Sequence, residues 1–325
     1  MNSTRSNRLV TLGLLIALAT VGLIVFYTDA GAGAVAGWSA LLLIPAGLGA
    51  LFSHLVDPQG LNSPFGCFAV PTLAIITITG LAFIFIGEGA ICIAMVLPLW
   101  IPAAIGGALV QHYNARRRIR QDGDNAGDIF QSSWLALPLF ALVAEQALPA
   151  PWQTEAVSRE VIVNAPADAV WPLLVSIPAI RPDEGKGNLT QDILGVPRPV
   201  SARLEAVAGQ LVRKAEWGKG IRFEERITRM EPGRAIDWTF AFPDDSVSRH
   251  TDRHISPDGP VLKIQSGGYR LDPLPDGRTR VRLTTQYRMR SHLAPYLGLW
   301  GEKMLGDVEA NVLAIIQQRA EAAER

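Results

Sequence analysis

Apolar residues fall into five runs along the first 150 positions of the chain. They span Leu9 to Tyr27, Gly37 to Val56, Cys67 to Gly87, Ala90 to Val110 and the shorter Ser133 to Leu148. A helix rises only about 1.5 Å per residue, so about 20 apolar residues cross a hydrocarbon core of about 30 Å. The first four runs meet that length, with Pro45 tolerated as a kink and a tight turn at Gly87-Glu88-Gly89 between the third and fourth. The fifth carries Glu145 and is read as a span, with an interfacial helix as the alternative.

From about Pro151 the pattern changes. Ala156 to Val163 alternates and is β-branched, which predicts a strand; Ala167 to Val175 predicts a short helix opening just after Pro166 and shortened by Pro172. Ile177 to Pro199, with four prolines, predicts irregular chain. Six antiparallel strands are expected after it, over 200–207, 211–217, 221–230, 235–242, 261–271 and 278–289, punctuated by Gly209, Gly218-Lys219-Gly220, Pro232-Gly233 and Pro275-Asp276-Gly277. The last alternates cleanly, with Val281, Leu283, Thr285, Tyr287 and Met289 on one face. From about Pro295 to Ala322 the period becomes helical, with a stripe of Trp300, Met304, Val308, Val312 and Ile315 or Ile316. Gly301 and Gly306 either let this helix approach the sheet or leave room for something else. The expected organisation is an all-α membrane domain over 1–150 and an α+β domain over 151–325.

Charge sharpens the division. The 325 residues carry 30 basic and 30 acidic side chains and a mean hydropathy of +0.20, yet no lysine or arginine lies between Arg8 and Arg116. The second half is close to neutral, so nothing marks it as a nucleic-acid binder. Arg5 and Arg8 precede the first run, and Arg116, Arg117, Arg118 and Arg120 follow the fourth. Four crossings return the chain to its starting side, so both clusters share the cytoplasmic side under the positive-inside rule. The first run is longer than a signal core and is read as an uncleaved anchor. The expected location is a bacterial inner membrane, multi-pass, with the N-terminus cytoplasmic. If the fifth run crosses, as expected, the second half is extracytoplasmic; if not, it is cytoplasmic. His54, Glu88, His112 and Glu145 sit near run ends, where water is within reach, and are read as interfacial. Cys67 and Cys92 read as packing residues.

Three phrases of the second half, VSREVIVNAPADAVWPLL, ERITRMEPGRAIDWTF and GYRLDPLPDGRTRVRLTTQYRM, followed by a long helix, resemble the START-like (SRPBCC) superfamily of Bet v 1-like proteins, polyketide cyclases/dehydrases and START domains. The resemblance covers about residues 155–322, and Pro166 to Trp171 matches its "Pro-x-x-x-Val-Trp" helix. It implies a helix-grip fold, an antiparallel sheet wrapped on a long C-terminal helix, with a cavity between them for an apolar or amphipathic small molecule or lipid. Phe223, Trp238, Phe240, Tyr269, Tyr287, Trp300 and Met304 are the residues expected to line it, with plain core packing as the alternative for each. Gly267-Gly268 beside Tyr269 suggests a bulge or open space. The expected partners are the bilayer and a hydrophobic small molecule or lipid.

Catalytic signals are sparse. His250, Asp252 and His254 have no supporting His or Cys cluster, so no metal site is expected. Glu224 and Glu225 point to opposite sides of a strand and cannot act together on one substrate. Glu184 reads as a cavity-mouth acid or, more simply, a solvated loop carboxylate. No nucleophile elbow or phosphate loop occurs, so no catalytic residue or cofactor is assigned. A cyclase- or dehydrase-like enzyme would need a cavity-facing acid or base; a protein-interaction module would have a solid interior.

Overall fold

The computed structural model describes residues 37–61, 63–86, 89–122, 133–146, 148, 150–250 and 256–324. The chain divides into two compact units, Met1–Pro151 with Ser291–Leu293, and Trp152–Arg290 with Ala294–Arg325. The first apolar run, Glu88, Asp252 and His254 lie outside the described residues.

The first unit is helical. A π-helical turn over Ser39–Leu43 leads into α1, Ile44–Val56; α2 is Gly66–Leu81, continued by a π-helical turn over Ala82–Ile86; α3 is Ala90–Asp122; α4 is Ser133–Gln146. Pro45 stands where the π-helical turn passes into α1, just after Ile44, whose N–H still donates to the Ser39 carbonyl. Among the described residues, three helical stretches are long and apolar enough to cross a membrane: Ser39–Val56, Gly66–Phe85 and Ala90–Gln121. The second of them leaves Phe68, Leu73, Ile76, Phe83, Ile84 and Phe85 exposed, a surface suited to lipid rather than water. At 14 residues α4 is about 21 Å long and falls short of that length.

Small residues bring α1 and α3 together. A Cβ on Gly49 would lie 1.9 Å from the Ala104 carbonyl oxygen, and one on Gly107 would lie 1.8 Å from that of Ala46. Ala50, Ala104 and Ala108 are fully buried in the same seam. Close backbone approach through small side chains is how helices associate where burial from water cannot drive them.

Two contacts mark the ends of α1. At its start, the Glu145 carboxylate accepts hydrogen bonds from the Trp38 and Ser39 backbone N–H groups at 2.7 and 3.0 Å. These are amides that the first helical turn leaves without partners. Beyond its end, Arg116 Nε donates to the Gly60 carbonyl at 2.7 Å. The end of α4 therefore lies at the opposite end of α1 from the arginine cluster. One interfacial expectation fails: His112 is 1% exposed, with Nδ1 3.7 Å from an Asp57 carboxylate oxygen. The cause is the length of α3, which continues past its apolar run and packs His112 under the chain that leaves α1.

The second unit holds seven strands: β1 Trp152–Val163, β2 Pro199–Val207, β3 Gln210–Trp217, β4 Ile221–Glu231, β5 Ala235–Ala241, β6 Leu262–Pro273 and β7 Thr279–Arg290. They form one antiparallel sheet in the order β1-β7-β6-β5-β4-β3-β2. Helix α5, Ala167–Val175, and a π-helical turn, Leu189–Ile193, lie between β1 and β2; α6, Ser246–His250, lies between β5 and β6; α7, Ala294–Ala323, follows β7. The β2–β3 hairpin turns on Ala208 and Gly209, both at positive φ (49° and 82°), as a two-residue primed turn requires. In β7 the alternate residues from Thr279 to Met289 are buried and those between are not.

The main core joins Val163, Val170, Leu174, Ile236, Trp238, Tyr269 and Val281 to Leu313, Ile315, Ile316 and Ala320 of α7. From its middle on, the buried residues of α7 are Gly306, Glu309, Asn311, Leu313, Ile315, Ile316 and Ala320, which the expected stripe meets only at Ile315 and Ile316. Trp300, Met304, Val308 and Val312 are half-buried beside them. The set was obscured because it includes a glutamate and a glycine.

Candidate functional site

Between the concave face of the sheet and α7 lies a cavity of about 90 Å³. Its wall is built by strand alternation. On β4, Phe223 and Glu225 face inward; on β5, Trp238 and Phe240; on β7, Leu283 and Thr285; Tyr269 comes from β6 and Arg213 from β3. Helix α7 closes the space with Val308, Glu309, Val312, Ile315 and Ile316. The aromatic rings form a connected chain, Phe223 to Phe240 at 5.9 Å, Phe240 to Trp238 at 6.1 Å and Trp238 to Tyr269 at 5.3 Å between centroids. Tilted and edge-on contacts at these distances suit the ring quadrupoles.

Two charges face each other inside this wall. Arg213 and Glu225 are direct cross-strand neighbours on β3 and β4, and Arg213 Nε donates to the Glu225 carboxylate. The same guanidinium donates to the Leu174 carbonyl and lies 5.1 Å from the Trp238 ring centre and 5.5 Å from that of Tyr269. Burial disfavours its charge, but Glu225 and Tyr269 outweigh that and push its pKa above the ordinary arginine value. The Tyr269 hydroxyl is pushed up, chiefly by burial.

Glu309 is different. It is 2% exposed, and neither carboxyl oxygen has a hydrogen-bond partner among the described residues. Thr285 is its polar neighbour but does not meet it at hydrogen-bonding geometry. Burial pushes its pKa up to about 8, with Thr285 and Arg159 pulling down and Glu302 adding to the rise. The nearby cations are committed elsewhere: Arg213 to Glu225, and Arg159 to Glu302 at 2.7 Å.

Of the seven residues expected to line a cavity, the structure brings Phe223, Trp238, Phe240 and Tyr269 together in the wall. Tyr287 instead belongs to a separate core cluster with Val157, Met289 and Ala294. Trp300 and Met304 lie on the same N-terminal half of α7, outside the wall. The glycines explain this separation. A Cβ on Gly301 would lie 2.2 Å from the Tyr287 hydroxyl, and one on Gly306 would lie 2.0 Å from an Arg159 guanidinium nitrogen. Both glycines make room for side chains of the sheet. Gly267 likewise holds no ligand space, because the Trp238 indole packs on it, 2.7 Å from where a Cβ would stand.

Glu184 is neither at the cavity mouth nor solvated. Its carboxylate is buried and accepts from Arg319 Nε at 2.7 Å, while Arg319 also donates to the Pro178 and Ala179 carbonyls. The Arg319 hydrogen bond holds its pKa below the ordinary glutamate value. Glu224 pairs outward with Arg226 at 3.2 Å while Glu225 points in. The polar residues of the wall, Arg213, Glu225 and Glu309, were not foreseen. A signal existed: Glu225 shares its strand face with Phe223 and Ile227, and Glu309 stands four residues before Leu313 and seven before Ile316.

No protein-family model matches the chain, and no curated protein matches it by sequence. Solved structures do. The Zhui aromatase/cyclase from Streptomyces sp. R1128 is 18% identical over 53% of this chain and 97% of its own, with a TM-score of 0.34. A norcoclaurine synthase point mutant from Thalictrum flavum, in complex with a transition-state analogue, is 12% identical over 54% of this chain and 99% of its own, TM-score 0.33. The di-domain ARO/CYC BexL of the BE-7585A biosynthetic pathway is 15% identical over 66% of this chain and 63% of its own, TM-score 0.32. By its own geometry, a seven-stranded antiparallel sheet curved over one long C-terminal helix, the second unit has the helix-grip fold.

Proposed function

We propose that this chain is a membrane-anchored binding protein whose helix-grip unit takes a hydrophobic small molecule, or the apolar end of a lipid, into the cavity under α7. One observation carries the reading: the interior is not solid but holds an aromatic-walled space between sheet and helix. At about 90 Å³ it suits a group of a few non-hydrogen atoms, well short of the roughly 300–1,000 Å³ of common ligand sites. A larger ligand would require α7 or the segment before β2 to move outward. Tethering suits the task, since an apolar ligand concentrates in the bilayer and attachment raises its effective concentration at the site.

The sidedness proposed is an arginine cluster in the cytoplasm and the helix-grip unit outside it, in a bacterial inner membrane. The support is the pair of contacts at the two ends of α1, which sets Glu145 about 27 Å of helix away from Arg116. The chain that follows Glu145 thus leaves from the end remote from the arginines. Neutral composition keeps nucleic acid out of the proposal.

The test is uptake. Full-length protein, stripped of lipid and returned to nanodiscs, is expected to take up small apolar molecules saturably and at one per chain, read by native mass spectrometry. Lack of saturable uptake of any apolar probe would end the binding reading. A second reading, an enzyme acting on the bound molecule, is favoured by Glu309 alone, a buried acid facing the cavity with a pKa near the operating range of a general acid or base.

A further inference from the structure

The cavity wall carries an unequal number of charges. Five ionisable carboxylate and guanidinium groups approach Glu309 or share its cavity: Arg213 on β3, Glu225 on β4, Arg159 on β1, Glu302 one and a half to two turns back on α7, and Glu309 itself. The hydroxyls of Tyr269 on β6 and Thr285 on β7 complete the polar surround. Two pairs are already made, Arg213 with Glu225 and Arg159 with Glu302. Glu309 is left over, 2% exposed, with both oxygens unpartnered among the described residues and with aromatic faces in the same cavity. A buried carboxyl without a partner is destabilising unless something supplies a donor. The missing complement is one positive charge bearing N–H donors on a small apolar body, which aromatic faces also attract.

We propose that the cavity selects a small apolar amine, whose ammonium group pairs with the Glu309 carboxylate. The inference rests on the cavity-binding reading and narrows its ligand class. An anionic ligand meets no free cation here, because both arginines are engaged. A neutral alcohol or hydrocarbon brings no charge to pair with an ionised Glu309.

The proton balance is explicit. Without ligand, burial keeps the Glu309 proton up to about pH 8. An alkyl amine arrives from water already protonated, so its binding expels the Glu309 proton to solvent, one per amine bound. Amine affinity therefore rises with pH, by up to about tenfold per unit, and levels off above the glutamate's pKa.

The experiment uses full-length protein in zwitterionic nanodiscs, with empty discs subtracted, and isobutylamine against isobutanol by ligand-observed NMR titration. At pH 8 the amine is expected to bind about tenfold more tightly than the alcohol, the strength of a charged hydrogen bond. The advantage is expected to shrink toward pH 6. Glu309→Gln is expected to erase the preference, the amine then binding no more tightly than the alcohol. Equal binding of amine and alcohol by the unaltered protein, or a preference that persists in Glu309→Gln, would overturn the amine assignment and leave the cavity reading standing. If neither probe binds, the amine assignment falls, and the cavity reading is decided by the uptake test with other apolar probes.

Discussion

Arg213 and Glu225 stand opposite each other on β3 and β4, each less than a tenth exposed, with the guanidinium against both the Trp238 and Tyr269 rings. Taking two charges out of water is expensive, and their attraction offsets that only when geometry and further hydrogen bonds are good. Here the pair is cross-strand, the arginine also reaches the Leu174 carbonyl, and its rings supply cation–π contact. The pair fixes one rim of the cavity and determines which charge in the wall is left over.

Breaking that pair from one side is expected to harm the fold more than removing it. Glu225→Gln or Arg213→Met alone is expected to lose about 3–5 kcal/mol, because one buried charge stays uncompensated. The double change Arg213→Met with Glu225→Leu is expected to recover most of it. Melting temperatures of the three variants in one detergent check the order; a double variant as unstable as the sum of the two single changes would contradict it.

Glu309 imposes a pH dependence of the opposite sign to the usual carboxylate. Its pKa is near 8 folded and near the ordinary 4.5 unfolded. Below about 4.5 both states hold the proton and nothing changes. Between about 4.5 and 8 only the unfolded state releases it, so stability falls by up to about 1.4 kcal/mol per pH unit, and above 8 the loss is complete. Glu309→Gln is therefore expected to be more stable than the unaltered chain at pH 8 and nearly equal at pH 4.5. The check is a pair of melting curves at the two pH values.

The Glu184–Arg319 contact acts at the acid end. The folded pKa of Glu184 is lowered, so its contribution is present above the ordinary value and is lost as pH falls through the folded one. Arg319→Ala removes this pair and two carbonyl hydrogen bonds, with an expected loss of about 1–3 kcal/mol at pH 7. The difference between the two chains is expected to narrow below pH 4, as unfolding at acid pH would show.

In the first unit, Gly49→Leu or Gly107→Leu drives a side chain into a facing backbone carbonyl. The expected outcome is loss of the α1–α3 seam, read as increased protease cleavage of the purified protein, while Gly80→Leu, with open space around it, is expected to be tolerated.

Much of this architecture was legible in the chain. Period-two alternation in β7 and the punctuation at Gly209 and Gly277 are local signals, set by the pleat and by backbone conformation, and they place the strands within a few residues. The α7 row was misplaced because periodicity counts apolar residues, and Glu309 is a buried acid on the apolar face. The Arg213–Glu225 pair depends on strand register, which no single strand encodes. Gly301 and Gly306 left two readings open, close approach to the sheet or room for something else; the neighbours that decide for the first, Tyr287 and Arg159, come from distant strands and only the folded sheet brings them there. Gly49 and Gly107 carry meaning only as a pair across two helices.

The proposed sidedness rests on α4, whose end meets the start of α1 through Glu145. A reporter fused after Arg325 is expected to be active only outside the cytoplasm, while a cysteine at position 120 is labelled only from inside. Both signals on one side would contradict the proposed topology.

The central claim, a ligand inside the helix-grip unit, is tested most directly by filling the space. Ala202 is buried in the cavity wall, and Ala202→Leu places three more carbon atoms there. Overpacking of this size costs about 1–3 kcal/mol, so the variant is expected to fold. Saturable isobutanol binding by the full-length protein in nanodiscs, measured by NMR titration, is expected to be lost in Ala202→Leu. Binding that is unchanged in the filled protein would mean that the molecule sits elsewhere and that the cavity is only a packing space.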